Sequence, residues 1–295
     1  MTVRDALVRA TKHLREAEIE TPHLDAMVLL GYCLGVEKED LLRAPERELS
    51  EAVSCAFAAA LDKRTAGMPV SYIRRRKEFF GRDFYVDERV LVPRPDTETL
   101  IETALQIVDT IPEVATVHDC CTGSGCVAVT LKAERPRLHV TASDLSLDAL
   151  AVAGLNARRL LPMGEADLPL FQSDLLEHVP GADLITANPP YVPSPEYRSL
   201  AAAKWPEPAM ALDGGPDGLE VLRRLVPSAF ERLRVNGYFL CEIGYDQGDA
   251  VRSIAWKSGF ASIKMVTDLG GRDRVLVAGK MARDAVTPRR AKRDG

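Results

Sequence analysis

Among the 295 residues, Asn188-Pro189-Pro190-Tyr191 is the segment whose residue types most directly suggest chemistry. Two consecutive prolines remove two backbone donors and stiffen the turn, so carbonyl oxygens are left to accept hydrogen bonds. The Asn188 side-chain carbonyl adds an acceptor and Tyr191 an aromatic face. Together they form a cradle for a planar NH2 group. The nitrogen of an amide or exocyclic amine is a poor nucleophile because its lone pair is delocalised. It needs no strong base, however, if its two hydrogens are held while it faces a methyl donor, since near-attack placement supplies up to roughly 7 to 11 kcal/mol of barrier reduction. A rigid surface turn would use the same prolines, but the position directly after the apolar run Ala182 to Ala187 favours a site loop.

A second segment, Asp119-Cys120-Cys121-Thr122-Gly123-Ser124-Gly125, follows the apolar run Ala115 to His118. Glycines there let the backbone approach a ligand, and the start of a following helix favours negative charge, such as the carboxylate of a methionine moiety. Gly123-x-Gly125-x-x-Ala128 also satisfies a dinucleotide fingerprint, and Asp144 stands about 20 residues on, where an acid holds ribose hydroxyls. Asp144 reads alternatively as a cap for the helix that starts near Ser146. Gln172-Ser173-Asp174-Leu175 ends the third run and offers an acceptor for an adenine amino group and an apolar wall. A hydride-transfer enzyme has no use for the proline pair after its fourth strand, so the reading turns to transfer of a methyl group onto nitrogen.

These loops need strands to position them. Apolar runs at Ala115 to His118, Leu138 to Ala142, Leu168 to Phe171, Ala182 to Ala187, Tyr238 to Ile243 and Val275 to Ala278 alternate with helical segments. That alternation predicts a mainly parallel sheet covered on both faces, with its ligand crevice at the carboxyl edge. Before it, residues 1–70 read as a helical bundle. Val3, Ala6, Leu7, Ala10 and Leu14 recur at helical spacing, Thr21-Pro22 opens a helix that closes at Leu34-Gly35, and another runs from Ser50 to about Gly67. Glu78 to Val92 changes period around Gly81-Arg82-Asp83 and predicts a hairpin, and Asp96 to Asp109 predicts a helix with an acidic first turn.

Composition narrows the function classes. A net charge of -5 argues against one dominant basic surface for nucleic acid. The basic runs Arg74 to Lys77 and Arg289 to Arg293 read as a solvated linker and a tail. Six cysteines without CxxC spacing predict neither a disulfide framework nor a metal site. Ala26 to Val36 is too short to span a bilayer and follows acidic residues, so a cytoplasmic protein with no membrane segment is expected.

The chain resembles the peptide chain release factor N5-glutamine methyltransferases from its helical region to about Lys280. The resemblance is carried, in order, by Pro69-Val70-Ser71-Tyr72-Ile73, Pro93-Arg94-Pro95-Asp96-Thr97-Glu98, the Asn188 to Tyr191 segment, Glu207-Pro208 leading to Ala211-Leu212-Asp213-Gly214-Gly215-Pro216-Asp217-Gly218-Leu219, and Asp268-Leu269-Gly270-Gly271-Arg272-Asp273-Arg274. It implies an α/β fold with a Rossmann-like seven-stranded methyltransferase sheet behind a small N-terminal helical bundle. S-adenosylmethionine is the implied donor, and the glutamine of the Gly-Gly-Gln loop of class I release factors the implied acceptor. Carried over by position, Asp119, Cys121, Thr122, Gly123, Ser124, Gly125, Asp144, Asp174, Leu175 and Asn188 surround the cofactor, while Asn188, Pro189, Pro190 and Tyr191 hold the glutamine amide. Residues 1–75 become a release-factor-binding domain, 76–92 a hairpin linker, 93–282 the methyltransferase domain and 283–295 a basic flexible tail. Relatives usually carry glycine where Cys121 stands, and often an aromatic residue at Leu175. An adenine-N6 nucleic-acid methyltransferase would use the same cradle, but it would need a positive channel for a flipped base. A non-catalytic scaffold is the alternative outside enzymes, kept open by Cys121 and opposed by the intact Asn188 and Asp144.

Overall fold

A computed structural model describes residues 1–111, 115–162, 168–202 and 205–282. The expected basic tail, 283–295, lies outside the described residues. The chain divides into two compact units, the first built from Met1–Arg76 with Val86–Glu88 and Leu200–Pro206. The second unit contains Lys77–Tyr85, Arg89–Ser199 and the chain from Glu207 onward.

In the first unit each main helix begins and ends where its sequence provides the chemistry. Helix α1 (Val3–Glu16) opens on a capping box in which Thr2 Oγ1 accepts from the Asp5 N–H and Asp5 accepts from the Thr2 N–H, both at 3.2 Å. Helix α2 (Pro22–Leu34) starts with proline and stops at Gly35, whose left-handed φ of 68° suits a residue without Cβ. Two short helices, α3 (Lys38–Arg43) and α5 (Val70–Arg74), flank α4 (Glu51–Thr65), which is capped by Ser50. Neither short helix is long enough to show an apolar period, so neither is foreseen above. Leu14, Leu29, Leu30 and Phe57 meet in the core of this bundle. Asp25 joins two of its helices: its carboxylate accepts from Thr21 Oγ1 at 2.8 Å and from Arg64 Nε at 2.7 Å.

The second unit opens with the hairpin β1 (Lys77–Phe79) and β2 (Arg82–Phe84), which stacks Phe79 edge-on against Phe84. The hairpin therefore belongs to this unit. Helix α6 (Thr97–Val108) follows, and the chain then alternates through β3 (Thr116–Cys120), α7 (Cys126–Glu134), β4 (His139–Asp144), α8 (Leu147–Leu160), β5 (Leu170–Gln172) and β6 (Ala182–Ala187). After α9 (Ser194–Ala202) and α10 (Glu220–Arg232) come β7 (Leu233–Glu242), α11 (Gly248–Lys257), β8 (Ser262–Thr267) and β9 (Asp273–Gly279). The seven strands lie in the order β5-β4-β3-β6-β7-β9-β8, parallel except for β9, which pairs antiparallel with both β7 and β8. Two apolar clusters cover the sheet. One gathers Leu100, Ile101, Val129 and Leu131, the other Leu222, Leu225, Val226 and Phe260. The apolar runs missed β8, an edge strand in which Lys264 separates two half-buried residues, Ile263 and Met265. β7 also begins earlier than its apolar run, because Asn236 adopts a left-handed φ of 67° and the ladder to β6 shifts register there. Among the described residues no helix is long and apolar enough to cross a membrane.

Asp25→Ala strands the Arg64 guanidinium beside the bundle core. Urea unfolding followed by circular dichroism is expected to show a loss of about 2 kcal/mol, below the value for a fully buried pair. An unchanged midpoint would mean that the pair does not hold these helices.

Candidate active site

The site is set by strand register. Cys120 at the end of β3 pairs with Ser143 on β4 and with Ala187 on β6, and Ala187 pairs in turn with Cys241 on β7. The next residue on each strand, Cys121, Asp144, Asn188 and Glu242, thus emerges along one carboxyl edge. The connections leave in opposite directions on either side of the β3–β6 pair, the place where open parallel sheets form a ligand crevice.

The loop after β3 is braced from below. Asp119, 1% exposed, accepts from Thr122 Oγ1 at 2.6 Å and from Thr186 Oγ1 at 2.8 Å. Burial pushes its carboxyl up to about 7, against the pull of those two hydrogen bonds. Asp119 therefore shapes the loop from within, and its carboxylate oxygens are engaged by protein. Asn156 on α8 donates to the Ser124 carbonyl at 2.8 Å and exchanges hydrogen bonds with the Tyr85 backbone. Gly123 has φ 55°, and a Cβ there would meet nothing within 4 Å. The N-cap residue of α7 offers no capping side chain, and the Ala128 N–H is bonded to the buried Asp119 carboxylate, so only the amides ahead of Ala128 remain for a ligand carboxylate. Asp144 accepts from the Gly123 N–H and the Ser146 N–H, both at 2.9 Å. The cap of α8 is Ser146 itself, whose Oγ accepts from the Ala149 N–H, so Asp144 is not spent as a helix cap. Open space over a glycine, uncapped helix amides and an acid at the next strand end fit the carboxylate and ribose of S-adenosylmethionine.

Besides Asp119, three further members of the expected cofactor set carry qualifications. Cys121 sits at φ 59°, in the left-handed region where a Cβ is strained, and its sulphur lies 3.8 Å from that of Cys120. Asp174 accepts from Arg224 Nη2 at 2.6 Å, which occupies one of its two oxygens. Leu175 is half-buried with φ 53°. Leu145, directly after Asp144, is 48% exposed.

The Asn188 to Tyr191 segment is held by polar contacts from distant parts of the chain. Asn188 Nδ2 donates to Thr97 Oγ1 at 3.2 Å, and the Tyr191 hydroxyl donates to Glu242 Oε1 at 3.1 Å. Burial first, and then the Glu242 charge, raises the Tyr191 phenol above its ordinary value and keeps it protonated. Gln247 Nε2 donates to the Tyr191 carbonyl at 3.0 Å and to the Gly218 carbonyl at 3.1 Å. The glycines between Asp213 and Leu219 now have a reason: a Cβ on Gly214 would stand 2.8 Å from the Pro190 carbonyl and from Tyr191 Cα. Glu207, buried, accepts from the Val92 N–H at 2.9 Å and from Arg94, which fixes the approach to Thr97. Arg274 bonds both Asp96 and Asp268. Thr97, Glu242 and Gln247 were not individually recognised in the sequence. A threonine or glutamate at a strand or helix end is ordinary until the partner it faces is known.

His118 does not face the Asn188 to Tyr191 segment as a free base. His118 lies beneath the loop, with Nδ1 2.8 Å from Thr141 Oγ1 and Nε2 2.9 Å from Ser143 Oγ, and burial pushes it down to about 4. Among the described residues no group of three or more His, Cys, Asp or Glu could hold a metal ion.

Residues 5–74 match the family described as PrmC N-terminal domain, and residues 97–205 match the family described as Methyltransferase small domain. A release factor glutamine methyltransferase of Moorella thermoacetica is 42% identical over 281 residues, 94% of this chain and 98% of that protein. Another, of Koribacter versatilis, is 41% identical over 285 residues, 95% of this chain and 99% of that protein. Among solved structures, a methyltransferase from Pyrococcus furiosus has TM-score 0.51 at 18% identity, covers 76% of this chain and 98% of that one, and shares the fold. With relatives this similar across nearly their whole length, and with both family matches in chain order, the chain belongs to the release factor glutamine methyltransferases.

Proposed function

We propose that this chain methylates the side-chain amide nitrogen of the glutamine in the Gly-Gly-Gln loop of class I peptide chain release factors, using S-adenosylmethionine. The observation that carries the reading is the Asn188 amide. Its Nδ2 is committed to Thr97, so its Oδ1 is the atom presented as an acceptor at the carboxyl edge. An acceptor there, followed by the Pro189 carbonyl, suits the two hydrogens of an amide nitrogen and leaves its face toward the cofactor loop.

Bound S-adenosylmethionine supplies a methyl group on a positively charged sulphur. Asn188 and Pro189 would hold the glutamine NH2 with its lone pair toward that methyl group, which would pass to nitrogen as the donor sulphur takes back the electron pair of its C–S bond. The nitrogen, now cationic and acidic, releases its proton to solvent, so no histidine is required. Tyr191, kept protonated, supplies an aromatic wall beside the amide rather than a base. The Gly123 to Gly125 loop and the start of α7 take the methionine carboxylate, Asp144 the ribose hydroxyls, and Asp174 and Leu175 the adenine. The helical unit contains none of these residues, which supports a role in gripping the release factor rather than in chemistry. Residues 1–75 are thus assigned to partner binding and 93–282 to transfer, in a protein that works in the cytoplasm beside the translation machinery.

Asn188→Ala should leave cofactor affinity nearly unchanged and reduce methyl transfer by roughly two to three orders of magnitude, because the amide can then turn its nitrogen away from the methyl group. Asn188→Asp, which keeps an acceptor of the same size, should retain more activity than alanine. Single-turnover rates on a purified release factor, with affinity measured separately, decide the matter, and wild-type turnover in Asn188→Ala would falsify the cradle.

Cys121→Gly removes a Cβ from a left-handed residue beside the methionine site and should bind S-adenosylmethionine at least as tightly as the native chain. Calorimetry showing a tenfold loss, about 1.4 kcal/mol, would mean that the thiol itself contributes to the site.

A further inference from the structure

The cofactor assignments occupy one side of the carboxyl edge. In the strand order β5-β4-β3-β6-β7-β9-β8, every residue assigned to S-adenosylmethionine except Asn188 lies on or after β3, β4 or β5. Asn188 follows β6, so the edge over β7, β9 and β8 is left for whatever carries the acceptor amide. β8 runs parallel to β7, and Glu242, Val275 and Val266 lie at one level. The connection from β8 to β9, Asp268 to Arg272, therefore leaves the sheet at the same edge as Asn188. It belongs to a motif that the transfer described above does not use.

The connection is braced from within. Asp268 Oδ1 accepts from the Gly270 N–H at 2.9 Å and from the Arg272 N–H at 3.1 Å, and the Asp268 N–H donates to the Arg272 carbonyl at 2.9 Å. Asp268 Oδ2 accepts from Arg274 Nε at 3.2 Å and Nη2 at 3.1 Å, and Arg274 reaches on to Asp96, beside Thr97. These contacts account for Asp268 and Arg274, which tie the loop to the start of α6. They do not account for what the loop presents. Leu269, at its tip, is 108% exposed, and Tyr245, shortly after the end of β7, is 60% exposed. The Arg272 guanidinium carbon stands 5.3 Å from the centre of the Tyr245 ring. Arg272 is exposed and, among the described residues, has no ion-pair partner.

A single exposed leucine is ordinary on a protein surface. Here it sits on a loop already ordered by hydrogen bonds, which loses little freedom on binding, next to tyrosine and arginine, the types that dominate protein contacts. Neighbouring strands are about 4.8 Å apart, so the end of β6 is roughly 10 to 14 Å from this loop, a span of about three or four extended residues. We propose, on the basis of the reading of Asn188 as the acceptor for the glutamine amide, that the Asp268 to Arg272 loop and Tyr245 receive the peptide that flanks that glutamine. The flanking stretch crosses β7 and β9 in an extended form, offering an apolar side chain to Leu269 and backbone carbonyls to the Arg272 guanidinium. Leu269, Tyr245 and Arg272 are not among the groups assigned to the reacting atoms, so they act on acceptor binding and not on the transfer step.

Steady-state transfer by the full chain to a purified class I release factor tests this surface. Leu269→Ser and Arg272→Ala should each raise the KM for the release factor about five- to tenfold, with kcat within about twofold of the native value and S-adenosylmethionine affinity unchanged. Trp256→Ser removes another exposed apolar side chain, 70% exposed near the end of α11 and away from the carboxyl edge, and should leave that KM unchanged. A photoreactive amino acid in place of Leu269 should, with S-adenosylhomocysteine bound, cross-link to the release factor within about five residues of the target glutamine. Native KM in both Leu269→Ser and Arg272→Ala, an equal rise in Trp256→Ser, or cross-links only to chain farther from that glutamine overturns the surface while methylation by the native chain stands. Absence of methyl transfer to the release factor by the native chain instead removes the proposed substrate, and the surface with it.

Discussion

The parallel register of β3, β6 and β7 is the constraint from which the rest of the site follows. Because Cys120, Ala187 and Cys241 lie across from one another, the residues after them leave the sheet at one level. The cofactor loop, the amide cradle and the buried Glu242 are therefore neighbours without any of them being close in sequence. A slip of one residue in β6 would turn Asn188 to the other face and separate it from Thr97. The buried aliphatic faces of the strands specify the register, so the apolar core that stabilises the unit also places the chemistry.

Catalysis on an amide makes particular demands on such a site. The nitrogen needs orientation more than it needs a base, and the structure supplies rigidity in several layers. The prolines limit the backbone, Gln247 and the glycines near Gly214 hold the turn from behind, and Glu207 with Arg94 fixes the chain that leads to Thr97. His118, beneath the loop, is buried and held neutral between Thr141 and Ser143. Asp119 likewise has its carboxylate turned inward.

Much of this was legible in the sequence, because motifs written in consecutive residues survive without a structure. The Asn188 to Tyr191 segment and the loop before Gly125 each follow a strand and Asp144 ends one, and the alternation of apolar runs with helices was enough to place them at one edge. What stayed hidden depends on partners far along the chain. Thr97 reaches Asn188 across 91 residues and Tyr191 reaches Glu242 across 51, and no local period records such contacts. Asp119 was grouped with the cofactor residues by its position in the loop, yet its carboxylate faces Thr122 and Thr186. The edge strand β8 was missed because half of its residues face solvent, and α3 and α5 because they are too short to show a face. Cys121 was readable as a departure, but its left-handed backbone shows why glycine would suit that position.

Everything above converges on transfer of the methyl group to a glutamine side-chain nitrogen on a release factor. Its most direct test is incubation of the full chain with methyl-labelled S-adenosylmethionine and a purified class I release factor, beside a nucleic-acid control, with the label located by fragment mass spectrometry. One methyl group is expected on the glutamine of the Gly-Gly-Gln loop and none on the nucleic acid. Label on adenine, or on no residue of that loop, would contradict it.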